Sequence, residues 1–215
     1  MPSASPAMSR FAPIAAAAAG VGFLALMDAF MKSAALASGA YSATVLRSLV
    51  GLAIIAPFWL FQRKGWPART TFKLHLERGI ISAFMALSFF FAITKMPLAE
   101  AIAISFVAPI IALYFASVFL GESIRREAYI ASVLGFAGTL VSVGGQIGIG
   151  GEEPRPISRD LALGLAAMGF SALLYAYNFV VIRKQSQVAG PGEAATFHSG
   201  VAAFVLLLFA PFFWD

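Results

Sequence analysis

Long apolar runs recur along this chain, and their length decides what it can fold into. A helix needs about 20 apolar residues to cross the hydrocarbon core of a bilayer. Runs of this kind alternate with short segments rich in glycine, proline and charge. Seven spans are predicted, over residues 11–31, 43–61, 79–94, 98–120, 128–147, 161–182 and 196–214. The sequence therefore predicts an all-α integral membrane protein, a polytopic bundle of about seven transmembrane helices.

Composition agrees with this class and argues against others. The chain is 60% hydrophobic and 12% charged, whereas soluble domains are about 45–50% apolar and about 25% charged. It has no cysteine, which excludes a disulfide framework, a thiolate metal site and a cysteine nucleophile. The net charge of +5 is spread between the apolar runs, which is typical of membrane proteins rather than of nucleic-acid binding. We expect no cofactor, no metal and no nucleic-acid partner.

The lysine and arginine residues of the loops predict an orientation, because cytoplasmic loops carry an excess of them. With the N-terminus inside, the inner segments hold ten and the outer segments four. We therefore expect a cytoplasmic tail over residues 1–10 and a place in the inner or plasma membrane. A cleaved signal peptide is the alternative for the first run. Asp28 and Lys32 lie within that run and argue against cleavage.

The first and last pairs of spans resemble each other. Span two ends "LVGLAIIAPFW" and span seven ends "AAFVLLLFAPFFW". Asp28 and Asn178 are 150 positions apart, and Arg47 and His198 are 151 apart. Because spans one and six start on opposite sides, the similarity indicates an inverted-topology repeat; a chance match between apolar segments is the alternative. We expect one complete five-helix unit over 11–147, an extracytoplasmic linker over 148–160, and the first two helices of an inverted second unit over 161–215.

Polar side chains within the spans are the candidate substrate-binding groups. Asp28 and Arg47 would each lie about 8–9 Å below the outer surface, where an unpaired charge costs at least about 2.5–3.5 kcal/mol. They either form a salt bridge that locks the first hairpin or line a substrate cavity; Arg47 could also extend to the headgroups. Asn178 and His198 would be their counterparts near the inner face, and Tyr175 adds a hydroxyl group.

Glu100 and His198 are candidates for proton coupling. An imidazole titrates near physiological pH, although a structural histidine with satisfied hydrogen bonds is the alternative. Glu100 is predicted in the first turn of span four, after Pro97. A carboxylate in that position also favours the helix dipole, which explains it without a role in transport.

Pro109 lies midway along span four and removes the N–H that would bond the carbonyl of Ser105. Neighbouring groups or water can satisfy such a carbonyl in a membrane helix. The loosened turn either presents backbone oxygen to a substrate beside the Ser105 hydroxyl or only shapes packing. At the inner end of this span, Glu122, Arg125 and Arg126 are expected to bridge the turn to span five, in a structural or gating role.

Residues 78–143 resemble the EamA-type transporters of the drug/metabolite transporter superfamily. The similarity lies in "RGIISAFMALSFFFAITKMPLAEAIAISFVAPIIALYFASVFLGE" and "GFAGTL", and "DAFMKSAALASGAYSATVLRSLVG" resembles the family's first hairpin. The resemblance implies ten spans in two inverted five-helix units around a central cavity. It also implies transport of amino acids, S-adenosylmethionine, riboflavin or drug-like amines. This chain would lack about three of those spans.

The sequence therefore predicts a secondary transporter of small metabolites or drug-like compounds that works by alternating access, in the lipid bilayer and with a homodimer as one arrangement. A non-transporting membrane scaffold, or an inactive fragment of a ten-helix transporter, is the alternative. We do not expect an enzyme, because His75 and His198 are the only histidines. Adjacent residues such as His198 and Ser199 point in different directions on a helix, and no GxxxxGK[ST] phosphate loop is present.

Overall fold

The computed structural model describes residues 6–62, 65–121, 123, 125–144 and 158–214. Within these ranges the chain is helical, with short turns between the helices and no strand. The helices are α1 Pro6–Ser38, α2 Ala40–Gln62, α3 Arg69–Lys95, α4 Leu98–Ser105, α5 Val107–Leu120, α6 Arg126–Gly144, α7 Arg159–Ser186 and α8 Pro191–Phe213.

Six helical segments in the described part of the chain are long and apolar enough to cross a membrane. They are Ala12–Ser38, Ala40–Gln62, Arg69–Lys95, Leu98–Leu120, Arg159–Ser186 and Pro191–Phe213. These segments confirm the predicted all-α, polytopic membrane fold. The span predicted over 128–147 corresponds to α6, which is not among the six; residues 145–147 lie outside the described residues.

Several helices extend beyond the predicted spans. Helix α1 begins at Pro6, inside the segment predicted as a tail, and continues to Ser38, where Gly39 turns the chain with a φ of 80°. Helix α3 begins at Arg69, ten residues before the predicted start of span three. Most of the predicted linker over 148–160 lies outside the described residues, but the Ser158 hydroxyl caps α7 by accepting a 3.1 Å hydrogen bond from the Leu161 N–H.

The fourth predicted span is not one kinked helix but two helices, α4 and α5. The break lies at Phe106, whose φ of −66° and ψ of −8° leave regular helical geometry. Pro109 is therefore the third residue of a new helix. An N–H in the first turn of a helix has no intrahelical acceptor, so the proline costs no hydrogen bond there. The sequence predicted a loosened turn or a kink at Pro109, and the structure has the break three residues earlier, at Phe106.

Helices α3 and α7 form the centre of the bundle. They run antiparallel, since Lys95 meets Asp160 at one end while His75 meets Gln185 at the other. Of the apolar 18-residue stretch in each helix, 39% is buried inside the protein in α7 and 6% in α1. Helix α7 is therefore a core helix, whereas α1 lies at the periphery of the bundle.

Small residues let the central helices approach closely. A Cβ atom at Gly79 on α3 would lie 2.3 Å from the Cβ of Val201 on α8. Ala108 of α5 is buried against Ala172 and Ala176 of α7. Glycine and alanine are common at helix contacts in membranes for this reason.

Candidate functional site

Arg47 lies inside the bundle, held by an aromatic ring and a thioether. Its Nε donates a 3.2 Å hydrogen bond to the Met27 sulfur, and its guanidinium carbon lies 5.7 Å from the centre of the Phe90 ring. Arg47 and Asp28 attract each other electrostatically, but the ion pairs between described residues do not include them. The arginine thus has a cation–π partner, and the first hairpin is not locked by the direct salt bridge that was one expectation.

Four of the sequence-predicted residues come together electrostatically, although they lie on four helices. Asp28 of α1 interacts with Arg47 of α2 and with Tyr175 of α7. His198 of α8 interacts with Arg47 and with Arg78 of α3. Arg78 was predicted only as a loop residue, because span three was expected to start after it. These groups form the polar interior of the bundle.

Asn178 of α7 is also buried inside the bundle, with 3% of its surface exposed. Its amide nitrogen lies 3.9 Å from the Met85 sulfur, and its Oδ1 has no hydrogen-bond partner among the described residues. Four further buried polar atoms share this property: Ser42 Oγ, Arg78 Nε, Ser82 Oγ and His198 Nδ1. Leaving such groups unpaired in an apolar environment is costly, so they are the groups that a polar ligand could satisfy.

Ser105 and Pro109 flank the break between α4 and α5 and are both half-buried. The Ser105 hydroxyl donates a 2.7 Å hydrogen bond to the Ile102 carbonyl of its own helix. Ala108 and Tyr175 belong to one packed cluster, so the break lies beside the helix that carries Tyr175. The structure places the break near the polar interior but gives the hydroxyl a local partner.

The other predicted residues lie apart from this interior. Glu100 is half-buried in the first turn of α4 and has no ion pair among the described residues. Arg125 and Arg126 are exposed at the start of α6, where the Arg125 carbonyl accepts hydrogen bonds of 3.0 and 3.2 Å from the Ala128 and Tyr129 N–H groups. Glu122 lies outside the described residues.

A second polar cluster, which the sequence did not single out, joins α3, α7 and α8 where α3 and α8 begin. His75 is fully buried; its Nε2 lies 2.9 Å from Glu193 Oε1, and its Nδ1 lies 2.6 Å from Gln185 Nε2. Arg78 Nη1 donates to Gln185 Oε1. We call these four residues the end network. A signal for it was present, since Thr71, His75 and Gly79 recur every fourth residue and are all buried on one face of α3.

Aromatic rings cover the end network. The Phe197 ring stacks on His75 with a centroid distance of 4.5 Å and an interplanar angle of 9°. Trp59 of α2 and Phe72 of α3 pack edge-on against Phe197 at 5.2 and 5.8 Å. The imidazole therefore has three neighbours: the Gln185 carboxamide, the Glu193 carboxylate and the face of the Phe197 ring.

In the described part of the chain, no group of three or more His, Cys, Asp or Glu side chains lies close enough together to hold a metal ion.

Comparisons with known proteins add three findings. The profile of the EamA-like transporter family matches residues 11–144. The chain is 28% identical over 193 residues to the pseudopaline exporter CntI of Pseudomonas aeruginosa, covering 88% of this chain and 62% of the exporter. It is 26% identical over 160 residues to an S-adenosylmethionine uptake transporter of Rickettsia felis, covering 72% of this chain and 49% of the transporter. The chain thus spans about half to two thirds of the length of these relatives.

A solved structure has the same fold. A crystal structure of a protein of unspecified activity superposes with a TM-score of 0.61 at 22% identity, covering 86% of this chain and 65% of that one.

Proposed function

The chain belongs to the EamA-like transporter family, and from this premise we propose that it is a secondary transporter. It moves a small metabolite across a membrane by alternating access. The observation that carries the proposal is the polar interior, where Asp28, Arg47, Tyr175 and His198, which lie on four different helices, interact electrostatically. Ionisable residues inside a membrane bundle are rare and commonly mark a substrate or ion pathway.

The crossing of α2 and α8 supports an inverted repeat. Near the middle of both helices, a Cβ at Gly51 would lie 3.1 Å from the Ser199 hydroxyl, and one at Gly200 would lie 3.3 Å from Leu52. Tyr41, at the start of α2, donates to the Leu206 carbonyl in the second half of α8. The two helices are thus antiparallel and cross at their centres, as two equivalent helices do beside a two-fold axis. We propose a first unit over 11–147 and the start of an inverted second unit over 161–215.

The charge of the loops supports an orientation. We propose that the N-terminus is cytoplasmic, that the protein resides in the inner or plasma membrane, and that the end network, near the start of α3, faces the cytoplasm. Loops rich in lysine and arginine then lie on that side. A homodimer of this chain is compatible with transport by alternating access.

The polar interior suits a zwitterionic metabolite. Arg47 and Arg78 supply cations, Asp28 supplies an anion, and Asn178 and Tyr175 add neutral hydrogen-bonding groups. We propose S-adenosylmethionine, an amino acid or riboflavin as the substrate class. Glu100 and His198 remain candidates for proton coupling, Ser105 and Pro109 for the cavity wall, and Glu122, Arg125 and Arg126 for the turn at the inner surface.

Uptake into proteoliposomes tests the proposal. The purified chain is reconstituted and supplied with labelled S-adenosylmethionine, riboflavin and amino acids. We expect saturable uptake of one probe, and we expect Arg47→Ala to lower it about tenfold or more, as losing a hydrogen bond to a charged group does. Arg159→Ala, which removes an exposed arginine at the start of α7, is the matched control and should stay within about twofold. Folded protein that moves none of the probes would favour the membrane scaffold, and unchanged uptake by Arg47→Ala would remove Arg47 from the site.

A further inference from the structure

The end network has a fixed direction of hydrogen bonding. An arginine can only donate, so Gln185 must present its oxygen to Arg78 and its NH₂ group to His75. His75 Nδ1 then accepts, and its Nε2 carries the hydrogen that points to Glu193. The three hydrogen bonds of the network each pair a donor with an acceptor only while the imidazole is neutral and protonated at Nε2.

A second proton on His75 conflicts with this arrangement. It would bond to Nδ1, the one ring nitrogen without hydrogen, and would face the NH₂ group of Gln185. If the amide turned over to accept from the imidazolium, its NH₂ group would face Arg78 instead. Either way two donors meet, so one hydrogen bond between α3 and α7 must break. The bond to Glu193 on α8 is kept and becomes charge-assisted.

The charged groups near His75 do not offer its protonated Nδ1 another acceptor. On α3 the nearest is Arg78, and Glu77 accepts a 2.7 Å hydrogen bond from the Tyr177 hydroxyl of α7. Helix α8 contributes Glu193, and Trp59 of α2 packs against the Phe197 ring of α8 that stacks on His75. Helix α7 supplies neutral Gln185; its last turn also carries two exposed cations, Arg183 and Lys184.

We infer that His75 is a proton-binding site that gates the end of the bundle where α3 and α8 begin; this inference rests on the proposed transport function. A proton taken from water at this mouth, where the Glu193 side chain is 22% exposed, forms an N–H bond at Nδ1. The imidazole becomes a cation, and the hydrogen bond from Gln185 breaks. Helix α3 then keeps its bond to α8 but loses one of its hydrogen bonds to α7 at this end, and the mouth opens. Loss of the proton restores the bond and closes it.

Thiol labelling measures the opening without any transport. The chain has no cysteine, so Thr71→Cys introduces a single thiol at a buried position one turn before His75. Thr70→Cys, at an exposed position, is the matched control, and the ratio of the two maleimide labelling rates removes the pH dependence of the thiol reaction itself. Between about pH 8 and about pH 5.5 we expect this ratio to rise about fivefold, as the loss of one interhelical hydrogen bond would produce. A ratio that stays flat overturns the inference.

Two substitutions distinguish the effect of two donors facing each other at His75 and Gln185 from a non-specific loss of stability at low pH. His75→Asn removes the titrating group, so the labelling ratio should no longer depend on pH. Gln185→Glu provides a carboxylate that accepts from both Arg78 and the imidazolium, so the mouth should stay closed at acid pH. A normal rise in the ratio in a folded Gln185→Glu variant would overturn the mechanism, even if His75→Asn fails to fold.

Proton movement tests the link to transport. Proteoliposomes that contain a trapped pH dye are exposed to S-adenosylmethionine, and tracer exchange is measured in parallel. We expect internal pH to change with S-adenosylmethionine movement, and we expect His75→Asn to lower the number of protons moved per S-adenosylmethionine. Exchange without any proton movement overturns the coupling. Absence of exchange contradicts the proposed function for this probe, and the labelling experiment then decides the gate on its own.

Discussion

A side-chain pair with the same separation lies at each end of α3, the Lys95–Asp160 ion pair with α7 and the hydrogen bond of the neutral His75 ring to Glu193 of α8, but the surroundings differ. At one end Lys95 Nζ lies 2.9 Å from Asp160 Oδ1, with side chains 31% and 68% exposed. At the other end His75 Nε2 lies 2.9 Å from Glu193 Oε1, with side chains 0% and 22% exposed. An exposed ion pair contributes about 0–1 kcal/mol, whereas leaving a buried polar group without its hydrogen-bond partner costs about 1–3 kcal/mol. The distance alone therefore says little about what holds the two helices together.

The two ends also differ in how readily their helices can separate. Water can replace either partner of the Lys95–Asp160 pair, so these groups can separate without leaving a buried charge. The end network has no such replacement, because Gln185 is 1% exposed and Phe197 covers His75. Separating the helices at that end breaks several bonds together. A structure of this kind suits a gate that is either closed or open.

The largest expected effect comes from the helix contact beside the end network. Gly79→Ala would place a Cβ atom 2.3 Å from the Val201 Cβ, and that atom cannot move without moving α8. We expect the free energy of unfolding in detergent to fall by about 3 kcal/mol, at the upper end of overpacking effects. Gly169→Ala on α7, where a Cβ meets nothing within 4 Å, is the control and should be neutral or stabilising by up to about 1 kcal/mol. Equal stability of the two variants would show that the close approach is not required.

An intermediate effect is expected from breaking the end network at its centre. Gln185→Leu keeps a side chain of similar length but leaves Arg78 Nη1 and His75 Nδ1 without their partner. Burying unpaired polar groups costs about 1–3 kcal/mol, and thermal unfolding of the purified protein measures the loss. Gln187→Leu, at an exposed position after the end of α7, is the matched control. If both variants unfold at the same temperature, the network does not stabilise this end.

The smallest effect is expected at the exposed end. Asp160→Asn removes the carboxylate of the Lys95 pair and should change the free energy of unfolding by less than about 1 kcal/mol. The effect should shrink further at high ionic strength, since salt screens exposed charges. Unfolding measured at low and high salt checks both points. A large and salt-independent loss would make the two ends equivalent and would contradict the comparison.

Much of the fold could be predicted from the sequence, because the bilayer sets the length of an apolar helix. The polar side chains within the spans could also be singled out, because a charge such as Asp28 or Arg47 in an apolar run has few tolerable positions. Their placement could not be predicted, since Arg47 was expected near the outer face and His198 near the inner face, whereas the two interact electrostatically. Which helix each one faces was less certain, and Arg47 meets Phe90 and Met27 rather than pairing directly with Asp28.

The end network could not be predicted in the same way. Glu193 and Gln185 lie 118 and 110 positions after His75 in the chain. These residues come together only because α3 is a neighbour of both α7 and α8. The basic residues around His75 also made residues 62–78 resemble a loop, although α3 begins at Arg69. Local composition follows the position of a segment relative to the membrane, whereas burial of a polar side chain depends on tertiary packing.

The break at Phe106 has a consequence for the order in which the protein is assembled. Helices α4 and α5 contain 8 and 14 residues, so each is shorter than the roughly 20 residues that a hydrocarbon core requires. Backbone that leaves helical geometry at membrane depth must be covered by protein, and here the cover is α7, through Ala172 and Ala176 against Ala108. The ribosome delivers α7 only after α4, α5 and α6 have been synthesised. The fourth span therefore enters the bilayer before its cover exists, and its packing against α7 forms only after α7 has been inserted.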